Sequence, residues 1–150
     1  MTQETTLFMP CIPPITTSQQ KGARIVSRTI RFFKKPAVAA AERQYVRLLK
    51  RYRPASWDKI EAGPVRLDVD FVWPWRSYHT IADRAHSLIY CVTKPDCSNA
   101  IKLLEDCMTT ADFWKDDCQV ASLHVNKFFG DVPGISIYVK KLNERMHDHD

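Results

Sequence analysis

The sequence lacks three features, and each absence excludes a class of protein. No apolar run approaches the roughly 20 residues of a membrane-spanning helix, so we expect no membrane partner. The opening residues MTQETTLFMP hold no basic segment followed by an apolar core, so we expect no signal peptide. No segment repeats, and 150 residues of 45% apolar composition predict one folded domain over residues 1–150, with a frayed polar tail at about 143–150.

Disulfide and zinc signatures are also lacking. The cysteines are odd in number and include no C-x-x-C pair, which argues against a disulfide framework or a structural zinc site. We therefore expect reduced, intracellular thiols that are buried or half-buried in the fold. They are Cys11, Cys91, Cys97, Cys107 and Cys118.

Acidic side chains are almost absent between Lys21 and Arg53. Eleven basic residues lie there beside a single acid, Glu42, although the formal net charge of the whole chain is only +5. A solvated surface normally mixes both signs, so nucleic acid, a polyanion, is the first partner to consider. A basic surface without a specific ligand is the alternative. The candidate DNA contacts, from this stretch and from beyond it, are Lys21, Arg24, Arg28, Arg31, Lys34, Lys35, Arg76 and Lys94.

Hydrophobic periodicity predicts helices at about 36–53 and 98–108. The first begins at Pro36, and its polar side is almost purely cationic, so it is either an ordinary amphipathic surface helix or a helix that contacts a phosphate backbone. Its apolar stripe comprises Val38, Tyr45, Leu48 and Leu49. The second follows Pro95, with Asp96 or Ser98 as the N-cap.

Extended segments are predicted at 5–9, 65–73 and 87–92, and a final pair at 119–128 and 135–141 is predicted to form a hairpin. The stretch from Pro13 to Arg24 is predicted to be a loop, with Gly22 as its flexible point. Together these elements predict an α/β fold, a single domain with a small mixed β-sheet flanked by helices.

The segment from Lys94 to Val120 concentrates acids in a basic chain, with six acidic and three basic residues. Carboxylate oxygens are the ligands that Mg²⁺ prefers, and such an ion can activate water at a phosphodiester. Asp96 lies just before the second helix, and Asp116 and Asp117 lie just before a strand. The alternative is that Asp96 only caps the helix and that the aspartate pair only solvates a turn.

The same segment reads K-P-D-x-S-N-x-x-K, then an E-D pair, then F-W-K-D-D-x-Q-V. This pattern resembles the RusA family of Holliday junction resolvases, which are small dimeric endonucleases often carried by prophages. The resemblance is strong over Lys94–Val125 and weaker over Leu7–Trp73. It implies a RusA-like homodimer in the cytoplasm of a bacterial or phage-infected cell, acting in recombination, repair or phage DNA processing. Its substrate would be four-way or other branched DNA rather than a small molecule, with Mg²⁺ or Mn²⁺ as cofactor.

Residue roles follow from the resemblance. It implies that Asp96 and Asp117 are metal-binding catalytic aspartates and that Lys102 is a catalytic lysine that contacts phosphate. Asp116 is a lesser candidate for a metal ligand, and Asn99 is expected to fix the local turn.

Ser98 departs from the family pattern, because many members carry a second aspartate there. A neutral hydroxyl is a poorer Mg²⁺ ligand than a carboxylate. Three outcomes are open. Water bound by Ser98 and a further carboxylate, from Asp116 or Asp106, completes the coordination shell of the metal; or the metal binds weakly; or catalysis is lost. We interpret the chain as active, with a catalytically impaired junction-binding protein as the alternative.

The predicted helix also separates the two catalytic aspartates. A helix of about ten residues is roughly 15 Å long. Asp96 and Asp117 therefore meet only if residues 109–116 double back along the helix, or if a partner subunit supplies one of them.

Overall fold

The computed structural model of the chain describes residues 3–15 and 21–146, without the side chains of residues 21, 22 and 32–34. The strands are β1 (Glu4–Met9), β2 (Lys21–Val26), β3 (Thr29–Lys34), β4 (Val65–Pro74), β5 (Leu88–Tyr90), β6 (Val120–Gly130) and β7 (Gly134–Lys141). The helices are α1 (Pro36–Tyr52), α2 (Ile81–Arg84) and α3 (Cys97–Thr110), and Asp117–Gln119 form a 3-10 turn. Of the predicted tail, residues 143–146 form no helix or strand, and residues 147–150 lie outside the described part.

Five strands form one mixed sheet in the order β1-β7-β4-β6-β5. Strand β4 runs parallel to β6 and antiparallel to β7, while β1 and β5 add antiparallel edges. The predicted α/β single domain with a small mixed sheet is confirmed. No helix in the described part is long and apolar enough to cross a bilayer.

The predicted hairpin between the last two strands is wrong. Strands β6 and β7 are consecutive in the chain, but β4 lies between them in the sheet. Pro74 of β4 lies beside Gly130, and Val72 lies beside Gly134, so the connection at 131–133 passes over the end of β4. Glycine and proline between two strands indicate that the chain reverses direction there. They do not indicate which strand lies next to each of the two in the sheet, because that depends on distant residues.

Strand β4 is the centre of the core, because alternation places one of its faces under the helices. Its inward side chains, all at most 2% exposed, are Val65, Leu67, Val69, Phe71 and Trp73. Helix α1 contributes Val38, Tyr45 and Leu49 from its predicted stripe. Helix α3 contributes Leu103, Leu104 and Met108 to the same interior. The outward residues of β4 make polar contacts instead. Asp68 forms a salt bridge with Arg66, and Asp70 accepts a hydrogen bond from Asn126 at 2.9 Å.

The predicted loop from Pro13 to Arg24 is wrong at its end, because residues 21–24 belong to the first strand of a second, two-stranded sheet. Residues 13–15 form no helix or strand, and residues 16–20 lie outside the described part. Strands β2 and β3 pair antiparallel, with Arg24 opposite Arg31 and Lys21 opposite Lys34. Ser27 and Arg28 form the turn between them with φ of 50° and 63°. Two-residue turns of this kind favour Asn and Gly, so Ser-Arg gave no turn signal and the hairpin was missed.

All five cysteines are free thiols. Cys91 and Cys107 are buried and Cys11 is half-buried, as predicted, but Cys97 and Cys118 are exposed, so the prediction was wrong for these two. Each exposed thiol directly follows one of the candidate catalytic aspartates in the chain.

Candidate active site

Asp96 is the N-cap residue of α3 by backbone position, but its side chain makes no capping hydrogen bond. The exposed carboxylate instead accepts a hydrogen bond from Asn99 Nδ2 at 3.2 Å, as expected of an asparagine that fixes this turn. The alternative that the Asp96 carboxylate only caps the helix is therefore wrong. Of the two residues predicted as N-cap, Asp96 occupies that position and Ser98 does not, since Ser98 is the second residue inside α3 with an exposed side chain.

The chain after α3 does double back, and the end of the helix explains how. Asp112 adopts a left-handed φ of 63°, while the N–H groups of Asp112 and Phe113 donate to the carbonyls of Thr109 and Met108. These two bonds define a Schellman motif, which ends a helix and reverses the chain.

Two buried aromatic residues anchor the returning segment. Phe113 and Trp114 are fully buried, and Trp114 Nε1 donates to Thr109 Oγ1 at 2.8 Å. Trp57 Nε1 donates to the Phe113 carbonyl at 3.1 Å, and Ile60 pairs with Trp114 as a β-bridge. The F-W pair of the motif therefore packs this segment against the core, and its position determines where the following aspartates leave the buried segment.

Gln119 and Asp116 shape the turn that presents Asp117. Gln119 Oε1 accepts from the backbone N–H of Asp116 at 2.9 Å, and its Nε2 donates to the carbonyls of Ile60 and Gly63 at 3.1 Å. The Asp116 carboxylate accepts from the Cys118 N–H at 3.0 Å, which lowers the pKa of Asp116. Asp116 is thus a cap of the 3-10 turn, and part of its capacity as a metal ligand is already used.

Asp117 lies against the C-terminal half of α3, beside Glu105 and Asp106. Burial, followed by the charges of Asp117 and Asp106, raises the pKa of Glu105 to about 7. Burial, with the charge of Asp117 and a side-chain hydrogen bond to it, also raises the pKa of Asp106, while Lys102 opposes this shift. Asp117 therefore lies close enough to disfavour the charges of Glu105 and Asp106. We name Glu105, Asp106 and Asp117 the carboxylate cluster.

The described contacts of Asp96 and Asp117 are separate. Asp96 contacts Asn99 at the start of α3, whereas Glu105 and Asp106 are nine and ten residues further on, about 13–15 Å along the helix axis. Exposed Lys102 lies between them and interacts with Asp106 one turn later. Within the described residues no three His, Cys, Asp or Glu side chains have a metal-binding arrangement.

The candidate DNA contacts lie on several elements. Arg24, Arg28 and Arg31 are exposed on the β2–β3 hairpin, and exposed Lys35 is the N-cap of α1. The side chains of Lys21 and Lys34 lie outside the described part. Exposed Arg76 follows β4, where its guanidinium lies 5.7 Å from the Phe129 ring centre, and exposed Lys94 precedes α3.

Two residues of this region were not predicted. Glu105 was counted among the acids of the segment but was given no role, since helical spacing alone does not show that Asp117 returns to it. Lys127 was missed entirely. Residues two apart in a strand point to the same face of the sheet. Lys127 lies two residues from both Val125 and Phe129, and this spacing was the available signal that the lysine faces inward.

The domain combines a basic hairpin with a basic helix whose Arg43 and Arg47 line a pocket together with Asp106. Basic elements of this kind on a small α/β domain are typical of an enzyme that acts on nucleic acid. The sequence model of the family "Endodeoxyribonuclease RusA" matches residues 12–140. The chain belongs to this family, and the predicted resemblance is confirmed. It is also 30% identical over 114 residues to "Uncharacterized protein YqaN" of Bacillus subtilis (strain 168), a match that covers 72% of this chain and 78% of the relative.

Family membership fixes the activity at a coarse level. RusA proteins are endodeoxyribonucleases, so the chain belongs to a family of DNA-cleaving enzymes whose substrates are branched DNA and whose members generally depend on a divalent metal.

Proposed function

We propose that the protein is a Mg²⁺-dependent endodeoxyribonuclease that cleaves Holliday junctions or other branched DNA in recombination, repair or phage DNA processing. Mn²⁺ substitutes for Mg²⁺ in this proposal, and the cytoplasm of a bacterial or phage-infected cell is the proposed location. The observation that supports it best is the placement of carboxylates along α3, with Lys102 between Asp96 and the carboxylate cluster.

A divalent ion fits the chemistry of these side chains. The carboxylate cluster offers hard oxygen donors. Burial and the charge of Asp117 raise the pKa values of Glu105 and Asp106, and a bound cation would offset that negative charge. The proposed ligands are Asp96 and Asp117, supported by Ser98, Asp116 and the other cluster members. The ion would supply a nucleophilic water and stabilise charge on the phosphodiester.

The remaining proposed roles belong to cations. Lys102 holds the scissile phosphate through its ammonium group, since it projects from the exposed side of α3 between the two acidic positions. The β2–β3 hairpin and the start of α1 hold the DNA arms through phosphate contacts, which are insensitive to base sequence. Arg76 and Lys94 extend this surface from the ends of β4 and the loop before α3.

A homodimer completes the proposal, because cutting two strands symmetrically needs two sites. The face of the sheet opposite α1 and α3 carries exposed Phe8, Leu88 and Tyr90, an apolar surface suited to pairing with a second copy. If Asp96 and Asp117 act together across the dimer, mixing Asp96→Asn with Asp117→Asn protein should restore cutting in the mixed dimer. No restoration is expected if each subunit supplies both.

The test is incubation of a synthetic four-way junction with the protein, with Mg²⁺ and with EDTA. We expect paired symmetric cuts that need the metal, and a linear duplex of the same sequence serves as the control substrate. The second candidate function is a junction-binding protein without catalysis, which the neutral Ser98 and the distance between the acidic positions favour. Tight junction binding without any cut in Mg²⁺ or Mn²⁺ would establish that alternative.

A further inference from the structure

Lys127 is the one charged side chain buried in the described part of the chain, at 8% exposed. It lies on β6 opposite Phe71 of β4, on the face of the sheet that the helices cover. Burying an ammonium group is unfavourable unless its N–H groups are hydrogen-bonded, and an apolar residue of similar size often serves a core at least as well. Core packing therefore does not explain why a lysine occupies this position. The explanation has to come from the hydrogen bonds of its ammonium group.

The ammonium group of Lys127 holds the segment that leads into α3. Lys127 Nζ donates to the carbonyls of Thr93 and Pro95, both at 2.5 Å. The main chain of the same residue accepts from the Cys91 N–H at 2.9 Å. Lys127 thus makes hydrogen bonds to Cys91, Thr93 and Pro95, three of the five residues that precede Asp96.

The geometric consequence falls on Asp96. The Pro95 carbonyl belongs to the peptide plane that contains the Asp96 nitrogen, and that plane is rigid. Holding this carbonyl therefore sets the direction in which the Asp96 Cα and its carboxylate leave the chain. The Asp96 carboxylate has its own contact with Asn99, but that contact lies on the helix side and does not hold the preceding segment.

We propose that Lys127 is a positioning residue, which fixes the 93–95 segment so that the Asp96 carboxylate points towards the metal and the scissile phosphate. This inference rests on the proposed function, because it gives Asp96 a ligand role. Groups of this kind, one step removed from a metal, typically change metal affinity or activity by about 10–100-fold when they are replaced.

The test compares Lys127→Met, which keeps most of the length of the side chain and removes the donors, with Lys127→Arg, which keeps donors. Ile137→Ala, a fully buried change on β7, is the control for lost stability. In Lys127→Met we expect the Mg²⁺ concentration for half-maximal junction cleavage to rise about 10-fold or more. Junction binding in EDTA should stay at the wild-type level, and Lys127→Arg should recover part of the loss.

A second measurement does not need catalysis. Hydrogen exchange followed by mass spectrometry should show faster exchange in residues 93–99 of Lys127→Met, while Ile137→Ala should speed exchange across the sheet without singling out this segment. An unchanged half-maximal Mg²⁺ concentration in folded Lys127→Met overturns the proposal, as does an exchange pattern equal to that of Ile137→Ala. If Lys127→Met does not fold, the same two measurements are made on Lys127→Arg. Exchange at 93–99 and metal dependence that stay together, both near wild type or both altered, support the proposal, and a change in one without the other overturns it.

The two measurements also separate this inference from the proposed function. If the wild-type protein cuts no branched DNA, the proposed function fails, and the exchange data alone decide whether Lys127 holds the segment before Asp96.

Discussion

Removal of the three hairpin arginines should change how junction binding depends on salt. Arg24, Arg28 and Arg31 are exposed, with Arg24 and Arg31 side by side in register and Arg28 at the turn, so one DNA arm can be contacted by all three. Each phosphate contact contributes about 0.9 to the slope of log K against log salt. Replacing all three by Ala should therefore lower the slope by up to about 2.7 units.

This slope has a large effect over an accessible range of salt. Between about 50 and 200 mM salt, a difference of 2.7 units reduces the affinity advantage of the wild-type protein about 40-fold. Fluorescence anisotropy of a labelled four-way junction in EDTA, titrated at several salt concentrations, measures it without cleavage. The loss should be the same for junctions of different sequence, because phosphates carry no sequence information.

A matched control separates local contact from total charge. Replacing Lys59, Arg66 and Lys140 by Ala removes the same number of charges, but Lys59 and Arg66 already pair with Asp112 and Asp68. We expect this variant to change the slope by less than about one unit. Equal slopes for the hairpin variant and the wild-type protein would refute the phosphate contacts, and equal losses in both variants would show a general effect of net charge.

The remaining predictions concern the carboxylates. Asp96→Asn should abolish cutting and leave junction binding in EDTA unchanged, as measured on gels and by anisotropy; full cutting by this variant would remove Asp96 from the site. Ser98→Asp should lower the Mg²⁺ concentration needed for cleavage, because it adds a charged oxygen at an exposed position; an unchanged requirement would mean that another group already fills this place. Stability in EDTA should fall as pH rises from about 4.5 to about 7, because folding raises the pKa of Glu105 and the folded state loses a favoured proton. Glu105→Gln should reduce that fall by about 1 kcal/mol in urea unfolding, a value lowered to allow for partial exposure; an unaltered pH dependence would contradict the shift.

The elements that the sequence predicted well are those whose signal is local. The alternation of β4 and the helical patterns of α1 and α3 each lie within a short stretch of chain, and all three elements are found close to the predicted bounds. The K-P-D and F-W-K-D-D motifs likewise identified the family, because their residue types and spacing are read directly from the chain.

The features that were missed depend on distant residues or on unusual turn chemistry. The position of β4 between β6 and β7 depends on which strands meet in space, and the Ser27-Arg28 turn lacks the usual Asn or Gly. The location of Asp117 beside Glu105 depends on the Schellman motif after α3, whose left-handed residue is Asp112 where glycine is usual. The buried contacts of Lys127 also join segments more than 30 residues apart.

The order of strands in the sheet also determines when the protein can fold during its synthesis. Every pairing within the five-stranded sheet includes β6 or β7, which are made after the other three strands of that sheet. Until Val120 has been made, β1, β4 and β5 have no partner in that sheet, and only the β2–β3 hairpin can pair locally. A chain that stalls or is cut before β6 would leave both edges of β4 without a partner strand and open to aggregation, so β6 has to be made before the candidate catalytic carboxylates can be brought into place.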